Sequence, residues 1–306
     1  LSNGAVPHAG LPKMNIFDKI HAHLHDRFVL SITGPRRVGK TTLLYQLINE
    51  LLKNGVKETH IFYLSFDELI TKEGADIIET ILEIYRGRTL KRPWGKEEIY
   101  VFFDEIQYVP ELLSYVKMAI DAKRRPGRFI FTGSQQFTMS KNLGDSLAGR
   151  IALLELLPFH VEEQQRIARL TRTLASPLGA FVHACLVGSY PEISLQPRLD
   201  RQAWYGAYVR TYLERDIRTL YNIGDLREFQ RFLQLLASRT AQILNLTSLA
   251  SELGIGVNTA KRWLSILEAS RMVYLLQPYY RNFGKRITQA PKVYFRDTGL
   301  LHALMG

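Results

Sequence analysis

The chain has 306 residues, 46% of them apolar, which is enough for two domains with cores of their own, and no run of 18 uncharged apolar residues offers a membrane span. A single cysteine, Cys185, excludes an internal disulfide and a cysteine-rich metal site and suits a reducing, cytoplasmic setting. The formal charge of +11 is uneven, since residues 196–306 hold 16 Lys and Arg against 8 Asp and Glu and so carry +8 of it; such a region binds a polyanion or gains solubility by repulsion.

Residues 1–14 lack a signal-peptide core and read as a flexible leader. His21, His23 and His25 alternate, but positions i and i+2 of a helix do not share a face, which argues against a metal site. Arg27 to Thr33 is apolar and rich in β-branched residues, as a buried strand requires. Gly34-Pro35-Arg36-Arg37-Val38-Gly39-Lys40-Thr41 then fits G-x-x-x-x-G-K-[ST], the P-loop pattern, and Thr42 to Leu52 continues as a helix. Strand, glycine-rich turn and helix are the context in which this motif cradles phosphate. Gly34 and Gly39 let the backbone curl so that its N–H groups point at phosphate oxygens, and the helix N-terminus adds partial positive charge. Lys40 reaches the β- and γ-phosphates and the Thr41 hydroxyl suits Mg2+; residues Gly34 to Thr42 form the expected nucleotide-binding segment.

Thr59 to Asp67 reads as a strand, followed by a helix around Ala75–Tyr85. Ile99 to Phe103 is a further buried strand and ends in Asp104-Glu105. A carboxylate at that point supplies what the metal of a nucleotide site needs: Asp104 is expected to hold Mg2+ and Glu105 to polarise the attacking water. Arg128 to Phe131 is a third strand ending in Thr132-Gly133-Ser134, where Thr132 and Ser134 both suit contact with the γ-phosphate or the water, or an ordinary strand-end turn. The acid doublet and the extra strand favour an ATP hydrolase over a GTPase or a nucleotide kinase, and no Asn-Lys-x-Asp guanine-reading motif is present. The expected fold is α/β: a parallel sheet with helices on both faces and nucleotide at the carboxyl ends of its strands.

The sequence predicts a P-loop domain over residues 15–165, with the boundary in the polar stretch Arg166–Ser176, and a helical segment plus C-terminal domain over 166–306. Phe159 to Tyr221 reads as mainly helical; the run Ala203 to Arg210 reads as helix-packing core, and Arg215-Asp216 as a local ion pair or a coupling between domains. Over about residues 225–300 a helix-turn-helix and wing are predicted. Thr247 caps Ser248–Leu253, Gly254 to Val257 turns, Asn258 caps a second helix to Ser270, and strands come next at Met272–Tyr280 and Lys292–Arg296. Asn258, Thr259, Lys261 and Arg262 open the would-be recognition helix, and Arg281, Lys285 and Arg286 sit on the wing, positioned for phosphates of duplex DNA. Winged helices also serve as protein-contact modules or lids, so a protein partner is the competing expectation.

Together, Gly34 to Thr42, Phe103-Asp104-Glu105-Ile106-Gln107, Phe131 to Ser134, and Leu147-Ala148-Gly149-Arg150 with Leu156-Leu157-Pro158-Phe159 resemble the AAA-type ATPases widespread in archaea and bacteria. Gly188-Ser189-Tyr190-Pro191-Glu192 is similar to the Gly-Gly-Tyr-Pro-Glu motif of that family's poorly characterised C-terminal region, with Ser in place of the second Gly. Tyr208 to Asp216 and Val293 to Leu300 also match, and the resemblance covers about residues 15 to 306. It implies ATP and Mg2+ as ligands and a finger-like or γ-phosphate-sensing role for Arg150, in its own site or a neighbour's; read from the residues alone, Arg150 opens the apolar strand Ile151–Leu157 or ties down a loop. Family members usually carry a further region likened to a restriction-nuclease fold. The sequence here ends at Gly306, before such a region, and no nuclease activity is inferred. The function expected is an ATP-hydrolysing switch acting through a winged helix. The alternatives are a switch with a protein partner, a small-molecule phosphotransferase, and a DNA-binding protein whose P-loop only holds nucleotide.

Overall fold

The computed structural model describes residues 16–24, 29–67, 99–109, 112–123, 129–133, 147, 149–170, 176–212, 225–281, 284 and 288–306. The chain divides into two compact units, Leu1–Leu157 and Pro158–Gly306.

In the first unit, helix α1 (Ile16–Leu24) precedes β1 (Val29–Thr33), α2 (Lys40–Lys53), β2 (Ile61–Ser65), β3 (Tyr100–Asp104), α3 (Leu112–Lys123), β4 (Phe129–Gly133) and β5 (Ile151–Glu155). The strands form one parallel sheet in the order β2-β3-β4-β1-β5. All five residues of β1 are buried, including Ser31 and Thr33, as expected for a strand covered on both faces. Phe103 and Phe131 stack at 5.7 Å across β3 and β4 and join a core with Phe62, Phe66, Val101 and Ile106. The order places β4 between the P-loop strand and the strand that ends in Asp104. Thr132 therefore lies between the two motifs. The predicted helix around Ala75–Tyr85 lies outside the described residues.

The second unit starts with α4 (Val161–Leu170), α5 (Pro177–Val187), α6 (Pro191–Leu195) and α7 (Arg201–Thr211). The division falls before the predicted boundary at Arg166–Ser176. The reason is local: the Phe159 N–H donates to the Ser189 carbonyl at 2.8 Å, and Gln164 Nε2, on α4, donates to the Gly188 carbonyl at 3.5 Å. Both bonds tie the start of this unit to the turn between α5 and α6. The run Ala203 to Arg210 packs by one face, with Tyr205, Tyr208 and Val209 buried and Trp204 stacked on Tyr208 at 5.5 Å, while Ala203, Gly206, Ala207 and Arg210 are exposed. Arg215 and Asp216 lie outside the described residues.

Helices α8 (Leu226–Ser238), α9 (Leu246–Leu253) and α10 (Val257–Ala269) come next, then β6 (Val273–Leu276) antiparallel to β7 (Lys292–Phe295), and finally α11 (Thr298–Met305). An isolated antiparallel bridge joins Ile243 to Lys292. Two predicted caps are corrected. Helix α9 begins earlier than expected because the Asn245 side chain accepts from the Ser248 N–H at 3.0 Å, so Thr247 lies inside it. Helix α10 has Gly256 at its N-cap with no side-chain cap, so Asn258 is a second-position residue rather than the cap. Gly254, at φ 71°, closes α9 in the left-handed conformation that glycine favours.

Two of the motifs in this unit prove to be halves of one joint. Asp297 is buried and caps α11 through the Leu300 N–H at 2.7 Å. Its carboxylate also accepts from the Ser189 N–H at 2.6 Å, from the Ser189 hydroxyl at 2.9 Å and from the Tyr205 hydroxyl at 2.8 Å. A Cβ on Gly188 would lie 2.1 Å from the Tyr205 oxygen, and one on Gly299 would lie 2.2 Å from the Val187 carbonyl oxygen. The Gly-Ser-Tyr-Pro-Glu and Arg-Asp-Thr-Gly-Leu segments are thus held by buried hydrogen bonds, and burial pushes the Tyr205 and Tyr190 hydroxyls well above the usual tyrosine range.

Candidate functional site

The P-loop occupies the carboxyl end of β1 as expected. Its curl depends on residues that L side chains rarely suit. Gly34 sits at φ 153°, and a Cβ there would meet the Leu156 carbonyl oxygen at 2.0 Å. Gly39 sits at φ 93° and is the N-cap of α2. Arg37, at φ 62°, takes the left-handed conformation without being glycine. Pro35 and Val38 are buried beneath the loop, Arg37 is exposed, and Arg36 and Thr42 are half-buried. Lys40 is buried, and its Nζ donates to the carbonyls of Gly34 at 3.3 Å and Pro35 at 3.0 Å.

Asp104 and Glu105 meet this loop from β3. The Thr41 hydroxyl donates to Asp104 Oδ2 at 2.7 Å, and Glu105 Oε1 lies 4.0 Å from Lys40 Nζ. Asp104 is 2% exposed, so its charge must be satisfied internally. The Thr132 hydroxyl donates to Asp104 Oδ1 and accepts from the Glu105 N–H at 3.0 Å. Glu105 has φ 57°, a strained value for a non-glycine residue, and Gln107 Nε2 donates to its Oε2. That turn lets adjacent residues diverge, with Asp104 facing Thr41 and Glu105 facing Lys40. A hydroxyl beside a buried carboxylate is the hard-oxygen donor set that suits Mg2+, which keeps several waters and asks few protein ligands.

The sequence reading missed Tyr63, Tyr45 and Gln107 as members of this site. Tyr63, on β2, donates to Asp104 Oδ2 at 3.2 Å, and Tyr45, on α2, donates to the Tyr63 oxygen at 3.3 Å. Their signal in the sequence is faint, since a tyrosine in a strand or on a helix is ordinary core. Ser134 lies outside the described residues.

Arg150 stands apart. It pairs with Asp121 of α3, its two guanidinium nitrogens 2.7 and 3.5 Å from the two carboxylate oxygens. Its carbonyl accepts from the Val29 N–H at the amino end of β1. The P-loop leaves the opposite end of that strand, five residues on, or roughly 16 Å away. An arginine side chain does not span that gap, so of the two expectations, its own site or a neighbour's, the geometry favours the second.

In the second unit, Asn258, Thr259, Lys261 and Arg262 are exposed together on α10, while Ala260, Trp263, Leu264 and Leu267 are buried on its other face. Arg281 is exposed; Lys285 and Arg286 lie outside the described residues. His21, whose ring nitrogen lies 2.7 Å from Glu50 Oε1, is engaged with α2.

A family described as "AAA domain" matches residues 26–165, and a domain of unknown function matches residues 178–306. An uncharacterised protein of Mycobacterium tuberculosis is 29% identical over 288 residues, covering 94% of this chain and 58% of its own length, so the chain spans little more than half of that relative. A second uncharacterised protein, of Haemophilus influenzae, is 23% identical over 297 residues, covering 91% of this chain and 70% of itself. Among solved structures, a Walker-type ATPase of Pyrococcus abyssi superposes with a TM-score of 0.62 at 16% identity, covering 96% of this chain and 95% of that one, which is a likeness of fold. Among the described residues no helix is long and apolar enough to cross a membrane. The P-loop, the acid pair at the end of β3, the inserted strand β4 and the matching model identify residues 26–165 as an AAA-type P-loop domain, followed at residues 178–306 by a domain of unknown function.

Proposed function

We propose that the chain is an Mg2+-dependent ATP hydrolase whose nucleotide state repositions a C-terminal winged helix that contacts duplex DNA. The observation that carries the nucleotide part is the Thr41–Asp104 hydrogen bond of 2.7 Å, which brings the phosphate-binding loop and the acid strand to one point. Lys40 and the loop N–H groups bind the β- and γ-phosphates. Thr41 and Asp104 hold Mg2+, which offsets phosphate charge when bound. Glu105, oriented by Gln107 and anchored through its N–H to Thr132, accepts a proton from the attacking water. Thr132 fixes the end of β4 beside that water. Arg150, too far from its own loop, acts on the γ-phosphate of a neighbouring subunit.

The reading of α8, α9, α10 and the β6–β7 hairpin as a winged helix rests on their order and on the bridge from Ile243 to Lys292. DNA contact is favoured by the exposed polar and basic face of α10 and by the +8 charge of residues 196–306. A protein partner is the second reading, favoured by the exposed apolar stripe Leu178, Phe181, Val182 and Leu186 on α5. Free phosphate release from ATP with no added acceptor, with and without duplex DNA across a range of salt, tests the proposal. Release that needs a small-molecule acceptor would point to a phosphotransferase, and release indifferent to DNA at low salt would favour the protein partner.

A further inference from the structure

We propose that Tyr63 is a positioning residue for the metal-binding carboxylate and sets how strongly Mg2+ tightens nucleotide binding. The inference rests on the nucleotide-site reading above and extends it to a side chain outside both the phosphate and the acid motifs.

The observation is a closed ring of hydrogen bonds. Thr41 and Tyr45 lie four residues apart on one face of α2. Thr41 donates to Asp104 Oδ2 at 2.7 Å, Tyr63 donates to the same oxygen at 3.2 Å, and Tyr45 donates to the Tyr63 oxygen at 3.3 Å. The ring thus runs from α2 to β3, across to β2 and back to α2. With Thr132 on Oδ1, three hydroxyl donors satisfy a carboxylate that is 2% exposed.

The register explains why a tyrosine serves here. Tyr63 pairs with Phe102, two residues before Asp104, and the gap of roughly 6.6 Å along the strand is beyond a serine or threonine but within reach of a phenol. The Tyr63 phenol O–H donates to Asp104 while its oxygen accepts from Tyr45. Thr41 would share its oxygen with a bound cation, whereas Tyr63, which is not itself a ligand, would be free to stay on Asp104. Such outer-shell donors fix the orientation of a ligating carboxylate, and their loss typically weakens metal binding by ~10-fold or more.

The alternative is that Tyr63 merely packs, since its ring centroid lies 5.4 Å from that of Tyr45. Tyr63→Phe separates the two, because it keeps the ring and removes the donor. A fluorescent ATP analogue is titrated into the full chain in Mg2+ and in EDTA, and the ratio of the two affinities is read. Tyr63→Phe is expected to lose about 10-fold of that ratio while its affinity in EDTA stays within about 2-fold of wild type. Tyr45→Phe, a second variant that leaves Tyr63 in reach of Asp104, is expected to lose less in the same direction. An unchanged ratio in Tyr63→Phe, or an equal loss with and without Mg2+, overturns the role of Tyr63 while leaving the nucleotide site intact. If wild type itself gains nothing from Mg2+, the nucleotide-site reading falls, and this inference falls with it.

Discussion

Thr41 and Asp104, 63 residues apart in the chain, are joined by a hydrogen bond of 2.7 Å at the carboxyl end of the sheet. A hydrogen bond to a charged acceptor of this kind contributes about 1.5–3 kcal/mol. Its larger consequence is geometric, since it sets a hydroxyl and a carboxylate oxygen side by side before any ligand arrives.

Lys40 and Glu105 should separate binding from turnover. Lys40→Ala removes the cation that meets the phosphates, and titration calorimetry should register a weaker affinity for ATP. Glu105→Gln keeps the shape of the side chain, so ATP should bind normally while phosphate release slows by ~10²-fold or more. Wild-type turnover in Glu105→Gln would remove Glu105 from the reaction.

Gly34 should tolerate no side chain. In Gly34→Ala the new Cβ meets the Leu156 carbonyl oxygen at 2.0 Å, at a φ that L residues avoid. Both elements are backbone, so neither can move aside cheaply. Strain of about 1–3 kcal/mol should appear as a lower thermal midpoint, accompanied by a loss of nucleotide binding.

Arg150 has an observed partner and a proposed one to be told apart. Its pair with Asp121 is partly exposed and contributes about 1 kcal/mol or less. Asp121→Ala should therefore change thermal stability little. Arg150→Ala should bind ATP normally and hydrolyse it slowly, and mixing it with Glu105→Gln should restore activity if the arginine acts between subunits. A turnover equal to wild type in Arg150→Ala would leave the Asp121 pair as its whole role.

The Asp297 joint should govern the stability of the second unit. Asp297→Ala leaves the Ser189 N–H, the Ser189 hydroxyl, the Tyr205 hydroxyl and the Leu300 N–H without their acceptor, and a loss of several kcal/mol, about 3 or more, is expected in denaturant unfolding. The tyrosines add a pH dependence. Burial raises the Tyr205 and Tyr190 values in the folded chain above the unfolded value near 10. Stability from these groups is full below about pH 10 and is lost as pH rises beyond it, because only the unfolded chain can release the proton. A urea midpoint that holds steady from pH 10 upward would contradict this.

On the winged-helix proposal, the basic segment of Arg281, Lys285 and Arg286 should bind phosphates. Replacing Arg281, Lys285 and Arg286 with Ala should weaken binding to all duplexes alike and make the log–log salt slope shallower by up to about three units. Replacing Asn258 and Arg262 should instead change preference between sequences. Titrations of labelled duplexes at several salt concentrations separate the two, and an absence of binding at low salt, with and without ATP, would favour the protein partner.

The sequence by itself determined the parts whose chemistry is local. Gly34 to Thr41 specify a phosphate loop because backbone curl, a helix N-terminus, a lysine and a hydroxyl all fall within eight consecutive positions. Asp104-Glu105 are legible because a carboxylate at the end of an apolar strand has little reason to be there except for charge. The two helices Leu246–Leu253 and Val257–Ala269 were equally legible from local pattern, but their caps were misplaced, since Asn245 and Gly256 compete with nearby residues for the same role.

What only the tertiary structure decided depends on strand order and register. Inserting β4 between β1 and β3 puts Thr132 on Asp104, and placing β2 beside β3 brings Tyr63 within reach of the same carboxylate. Parallel pairing of β5 with β1 puts Arg150 at the end of the sheet opposite the phosphate loop of its own chain. Ser189 and Asp297, 108 residues apart, gave no hint of each other until α5, α7 and α11 closed on one buried carboxylate. Local motifs can be read from neighbours in the chain. Hydrogen bonds between elements cannot, because they depend on which strands and helices the fold makes adjacent.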